Sequence, residues 1–266
     1  MQKNYSKYKP SRIILAKFSS GKFNFVERAK IPLLGKIAII GGGSLADLII
    51  LKGKRLKNIS TPYGKVSYYL IENSPLILRH GTENNIPPHK INHKANISAL
   101  KKLGVKFIFS FNSVGSLKLN LKPGTFFLPS DYIDFSGPIT FYDKKCYHVT
   151  PKISFELRGI SEKILNRLKI KFKKEGVYFN MIGPRLETKA EIKMIKKFAD
   201  VVGMTMAKEA TLASELNLKY VSLCTVDNFA NGLGKTSLIQ EEISRNQKEA
   251  AKKIEKIIKE ILKLKI

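Results

Sequence analysis

The sequence predicts one α/β domain built on a mixed β-sheet with surrounding helices. Short β-branched and aromatic runs alternate with longer stretches whose apolar residues recur every three or four positions, the pattern of strands and amphipathic helices in turn. Several strand-like runs end in glycine or small polar residues, as strands do when they lead into a ligand-binding crevice. The 266 residues suffice for one sizeable core, and neither a repeat nor a long linker divides them.

Taken in order, residues 1–35 read as a basic N-terminal extension. Its polar start, Gln2 to Arg12, is followed by a strand expected at Ile13–Phe18 and another near Phe23–Arg28. The domain proper, 36–266, opens on Lys36-Ile37-Ala38-Ile39-Ile40, a buried strand running into the turn Gly41-Gly42-Gly43-Ser44. Further strands are expected at Lys65–Ile71, Leu76–Arg79, Phe107–Phe111, Thr125–Leu128, Val177–Met181, Val201–Met204 and Tyr220–Thr225. Helices are expected at Ile91–Leu103, Ser161–Lys171, Thr188–Phe198 and Ala207–Leu216. From Leu238 to Ile266 the spacing of Ile and Leu predicts one long amphipathic helix.

Composition narrows the function. Cys146 and Cys224 have no CxxC or Cys/His ligand spacing, and His80, His89, His93 and His148 form no HExxH pair, so no metal site is expected. Cys224 lies in an apolar run and reads as a buried, inert thiol. No run of 18–20 apolar residues offers a membrane span, and no leader-like segment opens the chain, so a cytoplasmic location is the expectation. The net charge of +27 raises the question of nucleic acid. The lysines are dispersed rather than gathered into one arm, which reads as solvated surface; nucleic acid is not the expected partner. The positive field still favours arriving anions.

Three elements carry anion chemistry. The Gly41–Ser44 turn lets backbone N–H groups approach an oxyanion, Arg79-His80-Gly81 ends a strand with a guanidinium, and Asn112-Ser113 offers amide and hydroxyl donors after another. Each alone has a plain structural reading, as a tight turn or as polar residues at a strand end.

Together and in this order they resemble the trimeric purine nucleoside phosphorylase and methylthioadenosine phosphorylase family. The resemblance spans roughly residues 36 to 250. It rests on Ile39-Ile40-Gly41-Gly42, Thr61-Pro62-Tyr63-Gly64-Lys65, Arg79-His80-Gly81, Ile86-Pro87-Pro88-His89-Lys90-Ile91-Asn92, Ala95-Asn96-Ile97 and Val114-Gly115-Ser116-Leu117. It continues through Lys122-Pro123-Gly124, Gly183-Pro184-Arg185-Leu186-Glu187-Thr188, and Gly203-Met204-Thr205 with Glu209 beyond. It implies a single-domain mixed-sheet fold, a homotrimer or a dimer of trimers, inorganic phosphate as co-substrate and no cofactor. Phosphate would be held by Gly43, Ser44, Arg79, His80, Asn112, Ser113 and Thr205. The nucleoside would lie against Met204, Leu186, Asp227, Ala230, His148 and Gln240, with Asn112 also near the ribose.

The resemblance also speaks to the base. Members acting on 6-oxopurines carry a Glu after Gly-Pro-x-x and an Asn at a later strand end, matched here by Glu187 and Asn228, the expected catalytic pair. A carboxylate accepts the N1–H that adenine lacks, and an amide donates to O6 and bonds N7. The 6-aminopurine members carry Ser and Asp there. The alternative is that Glu187 caps the helix from Thr188 and Asn228 ends a turn. At the 5′ end, His148 matches the histidine that a neighbouring subunit supplies in the methylthio branch. Gln240 stands where hydroxyl-selective members have another. The expected activity is therefore phosphorolysis of inosine, guanosine or 5′-methylthioinosine in purine salvage. The competing readings are methylthioadenosine phosphorolysis or a non-catalytic basic nucleic-acid binder. Four positions depart from the family: Gly43 lacks a hydroxyl that relatives place on phosphate, Asn84 replaces a histidine, Lys208 replaces a proline, and Leu186 replaces an aromatic.

Overall fold

The computed structural model of the chain describes residues 35–46, 48–234 and 240–264. The N-terminal extension, with both strands expected in it, lies outside the described residues, as does the run 235–239 and the side chain of Gln240.

Four parallel strands form the centre: β1 (Lys36–Gly41), β4 (Ser74–Leu78), β5 (Val105–Ser116) and β11 (Lys219–Phe229). An antiparallel hairpin of β2 (Leu56–Thr61) and β3 (Gly64–Ile71) extends one side. On the other lie β7 (Asp131–Asp134), β9 (Val177–Asn180) and β10 (Val201–Gly203), with the short β6 (Phe126–Phe127) and β8 (Phe172–Lys173) beside β11. The sheet is mixed, as expected. The helices are α1 (His93–Lys102), α2 (Phe155–Arg167), α3 (Lys189–Ile195), α4 (Met206–Glu215) and α5 (Gln240–Leu262).

Strand β5 organises the molecule. One of its edges pairs with β11 from Phe107 to Ser116; the other pairs with β1 only as far as Phe111 and with β10 at Gly115 and Ser116. Between those two partners the edge is open. This is the sort of gap in which α/β sheets bind ligands, beyond the carboxyl ends of parallel strands.

Alternation along β5 assigns each side chain a face. Phe107, Phe109 and Phe111 belong to the core shared with α2 and α5, whose Ile254, Ile257, Ile258 and Ile261 are fully buried. Burying each such side chain contributes about 1.5–3 kcal/mol. On the opposite face Ile108 packs with Met206, Ala210 and Ala213 of α4 and Ala95, Ala99 and Leu100 of α1. Ser110 and Asn112 continue that face, so the core turns polar as it nears the gap.

The elements differ from the sequence expectation mainly at their ends. Helix α2 begins at Phe155 and stops at Arg167, because the Ser154 hydroxyl caps it, accepting from the Leu157 N–H, and Lys169 takes a left-handed φ of 54°. Helix α3 stops at Ile195. Strands β2, β7 and β8 were not anticipated: β2 is a largely exposed edge without apolar alternation, and β8 has two residues.

Candidate active site

The gap on β5 opens into a cavity of about 600 Å³. Its walls come from the turn after β1, the turn after β4, the far half of β5, the loop before α3, the β10–α4 junction and the end of β11. Of the residues singled out from the sequence, Gly43, Ser44, Arg79, His80, Ser113 and Thr205 line one part. Met204, Leu186, Glu187, Asn228 and Ala230 line the rest.

Arg79 is buried and held from behind. Its Nε donates to Glu209 Oε1 at 2.6 Å, its Nη2 to Ser110 Oγ at 2.6 Å and to Glu209 Oε2 at 3.3 Å, and its Nη1 to the Phe111 carbonyl at 2.8 Å. A guanidinium has five N–H donors, so among the described residues one remains, on Nη1. A Cβ on Gly42 would stand 3.3 Å from that nitrogen and 3.6 Å from His80 Nε2. The glycine turn thus leaves open the space both side chains face. Glu209 is itself buried, and accepts from Ser110 Oγ at 2.7 Å and Tyr220 OH at 2.8 Å. Burial opposes its ionisation, but the Arg79 guanidinium and these donors outweigh burial and lower its pKa.

His80 is fixed from one side: its Nδ1 lies 2.7 Å from the Ile86 carbonyl. A carbonyl only accepts, so Nδ1 carries the proton and the neutral ring presents a bare Nε2. Burial, then Arg79, lowers the His80 pKa, keeping that neutral form. Thr205 Oγ1 accepts from Asn112 Nδ2 at 2.9 Å, which leaves its hydroxyl proton free to donate. The backbone N–H groups of Thr205 and Met206 point to the buried Tyr178 hydroxyl at 3.3 and 3.5 Å. Gly203 permits this, since a Cβ there would meet that oxygen at 2.3 Å.

Glu187 is buried against the cavity, and its carboxyl takes no hydrogen bond from any other described residue. The capping alternative falls away. The Thr188 side chain and Glu191 close a capping box on α3, with Arg185 forked onto Glu191 at 2.8 and 2.9 Å. Asn231 Nδ2 holds the Glu187 carbonyl at 3.0 Å, fixing the backbone while the carboxyl stays free. Burial, and secondarily Glu191, raises the Glu187 pKa. Asn228 owes its place to a bulge: Val226 pairs with Val114 and Asn228 with Gly115, so Asp227 is the extra residue. Asn228 Nδ2 donates to the Phe229 carbonyl at 2.8 Å, leaving its second N–H and its Oδ1 unengaged among the described residues.

Three expected contacts stand elsewhere. Asn112 lies behind the wall, where its Oδ1 accepts from Ser222 at 2.7 Å and its Nδ2 donates to Thr205; alternation turns it toward α4 rather than into the cavity. Asp227 is also behind, because the bulge turns its carboxyl to Ser113, while Asn246 of α5 holds its carbonyl at 2.6 Å. Burial pushes its pKa up to about 6, against the Ser113 hydrogen bond. His148 is exposed outside the cavity of its own chain, with Nε2 3.4 Å from Cys146 Sγ. Sequence reasoning missed Asn231, Ile243 and Gln247, and gave no role to Asn84 and Ile86, all of which line the cavity. Gln247 Nε2 donates to Ser113 Oγ at 3.3 Å; on an amphipathic helix nothing marks it from other polar residues. Among the described residues no three His, Cys, Asp or Glu side chains gather as if for a metal ion, and no helix is long and apolar enough to cross a membrane.

Comparison with known proteins gives a consistent result. The phosphorylase superfamily pattern matches residues 36–263. A probable S-methyl-5′-thioinosine phosphorylase of Methanocaldococcus jannaschii is 46% identical over 233 residues, covering 85% of this chain and 91% of its own. A probable 6-oxopurine nucleoside phosphorylase of Archaeoglobus fulgidus is 42% identical over 232 residues, covering 85% and 96%. Among solved structures, a methylthioadenosine phosphorylase from Schistosoma mansoni superposes with a TM-score of 0.75 at 24% identity, covering 84% of this chain and 89% of that one. That last likeness speaks to the fold.

Proposed function

The chain belongs to the phosphorylase superfamily, and we propose that it is a purine nucleoside phosphorylase selective for 6-oxopurines. It transfers the pentose of inosine, guanosine or 5′-methylthioinosine to inorganic phosphate, releasing the free base for purine salvage. The observation that carries this reading is the free carboxyl of Glu187 and the half-engaged amide of Asn228, both lining the cavity that Arg79 and His80 enter.

In this reading the residual Nη1–H of Arg79, the glycine-turn amides and the Thr205 hydroxyl donate to phosphate, which lies beside Ser113, whose own hydroxyl proton goes to the Asp227 carboxyl. His80 Nε2 takes a hydrogen bond from a protonated phosphate oxygen. Phosphate oxygen attacks C1′ as the bond to N9 breaks, and the ribose carries positive character between an anion below and a departing purine above. Donors fixed before the reaction stabilise this state without reorganising. Glu187 accepts N1–H and the second Asn228 N–H meets O6. As charge builds on the base, N7 takes a proton from solvent water and the resulting N7–H donates to Asn228 Oδ1. Asn112 and Asp227 serve as positioning groups, through Thr205 and Ser113. No cofactor enters these steps.

The proposed assembly is a homotrimer or a dimer of trimers, in which His148, exposed on its own chain, reaches the 5′ end of a neighbouring site. A panel of inosine, guanosine, methylthioinosine and methylthioadenosine at saturating phosphate tests base and sugar together. Methylthioinosine is expected to exceed methylthioadenosine in kcat/KM by at least about a hundredfold, the scale set by an unmatched buried polar pair. Preference for methylthioadenosine would overturn the base assignment.

A further inference from the structure

Two of the family departures meet in space. Gly43 opens a short 3-10 turn at the cavity, and its φ is outside the left-handed region, so its backbone does not demand glycine. A neighbouring side chain fills the space instead. A Cβ at position 43 would lie 2.8 Å from Asn84 Nδ2, 3.0 Å from its Oδ1 and 3.2 Å from its Cγ. Asn84 sits at φ 53°, a conformation that Asn tolerates better than most residues, in a turn closed by its N–H donating to the Gly81 carbonyl at 3.2 Å. That turn swings the carboxamide over the glycine loop. There it has no hydrogen-bond partner among the described residues, yet it lines the cavity beside Arg79 and His80.

We infer that Asn84 is a phosphate-binding residue of this chain, and that Gly43 and Asn84 form one oxyanion subsite. This rests on the phosphorolytic reading above. Its Nδ2 supplies a donor where position 43 has no side chain, delivered from the Arg79-His80-Gly81 turn rather than from the loop after β1. The absence of a side chain at 43 is the condition for it: any Cβ there displaces the carboxamide. The Nδ2 of the carboxamide only donates, so it holds an oxygen of phosphate without competing with His80 Nε2 for the phosphate proton.

The test is the phosphate KM of Asn84→Ala, Gly43→Ser and the double variant, with the nucleoside KM measured alongside. Asn84→Ala is expected to raise the phosphate KM about tenfold or more, the scale of one hydrogen bond to a charged group, and to move the nucleoside KM far less. Gly43→Ser placed on Asn84→Ala is expected to recover at least about half of that loss on a logarithmic scale, because the new hydroxyl enters the vacated space. Placed on the parent, the same change brings no gain, because it pushes the carboxamide out. A phosphate KM within about twofold of the parent in Asn84→Ala would overturn the proposal, as would an equal effect of Gly43→Ser in both backgrounds. A parent with no phosphate dependence would instead remove the underlying reading, so the two failures are distinct.

Discussion

Replacing Asn228 by Asp is expected to lower kcat/KM for inosine by about a hundredfold or more and to raise turnover of 6-aminopurine nucleosides. The amide at 228 now donates to the Phe229 carbonyl at 2.8 Å and keeps a second N–H for the base. A carboxylate donates to neither, and it meets O6 lone pair against lone pair in a buried site. The 6-amino group, by contrast, donates to it. The neighbourhood adds a pH dependence. Asp227 is buried alongside with its pKa already pushed up to about 6, and a second carboxyl beside it raises both further. The preference of the variant for 6-aminopurines should therefore grow as pH rises and the new group ionises. Specificity constants for inosine and adenosine measured from pH 6 to 8.5 check this. An unchanged ratio would refute the role of Asn228.

Replacing Glu209 by Gln should cost both stability and phosphate affinity. The two carboxylate oxygens of Glu209 collect donors from Arg79, Ser110 and Tyr220, all inside the protein. Gln removes the charge and presents an NH₂ to at least one of those donors. Breaking a buried ion pair on one side typically costs about 3–5 kcal/mol, because the remaining charge is left uncompensated. The urea midpoint should fall accordingly. In the folded variant the guanidinium loses the fork that aims its last N–H past Gly42, and the phosphate KM should rise at least about tenfold. A variant as stable as the parent with an unchanged phosphate KM would show that the pair does not position Arg79.

Much of this was legible in the sequence, for identifiable reasons. The β1 strand and its glycine turn, the Arg79-His80 strand end and the long amphipathic helix announce themselves through local pattern, and the structure has all of them. What pattern does not carry is which way a residue faces when the register changes. Asn112 reads as a pocket donor because it ends an apolar strand, but β5 continues to Ser116, and alternation turns Asn112 toward α4. Asp227 reads as a base contact because it adjoins Asn228, but a bulge is invisible in one strand's sequence and turns the carboxyl to Ser113. Glu187 shows the opposite case. Its competing role as a helix cap is settled by Thr188 and Glu191, a pair at capping-box spacing three residues apart. Gly43 and Asn84 read separately as two losses, and only their 2.8 Å approach joins them.

The central claim is transfer of a pentose to phosphate, and it has a direct measurement. Purified protein is incubated with inosine or methylthioinosine, with and without inorganic phosphate, and hypoxanthine and pentose 1-phosphate are quantified together, the latter by phosphorus resonance. The account predicts equal amounts of the two products and no base release without phosphate. Release of hypoxanthine at the same rate in phosphate-free buffer, with free pentose as the second product, would contradict it.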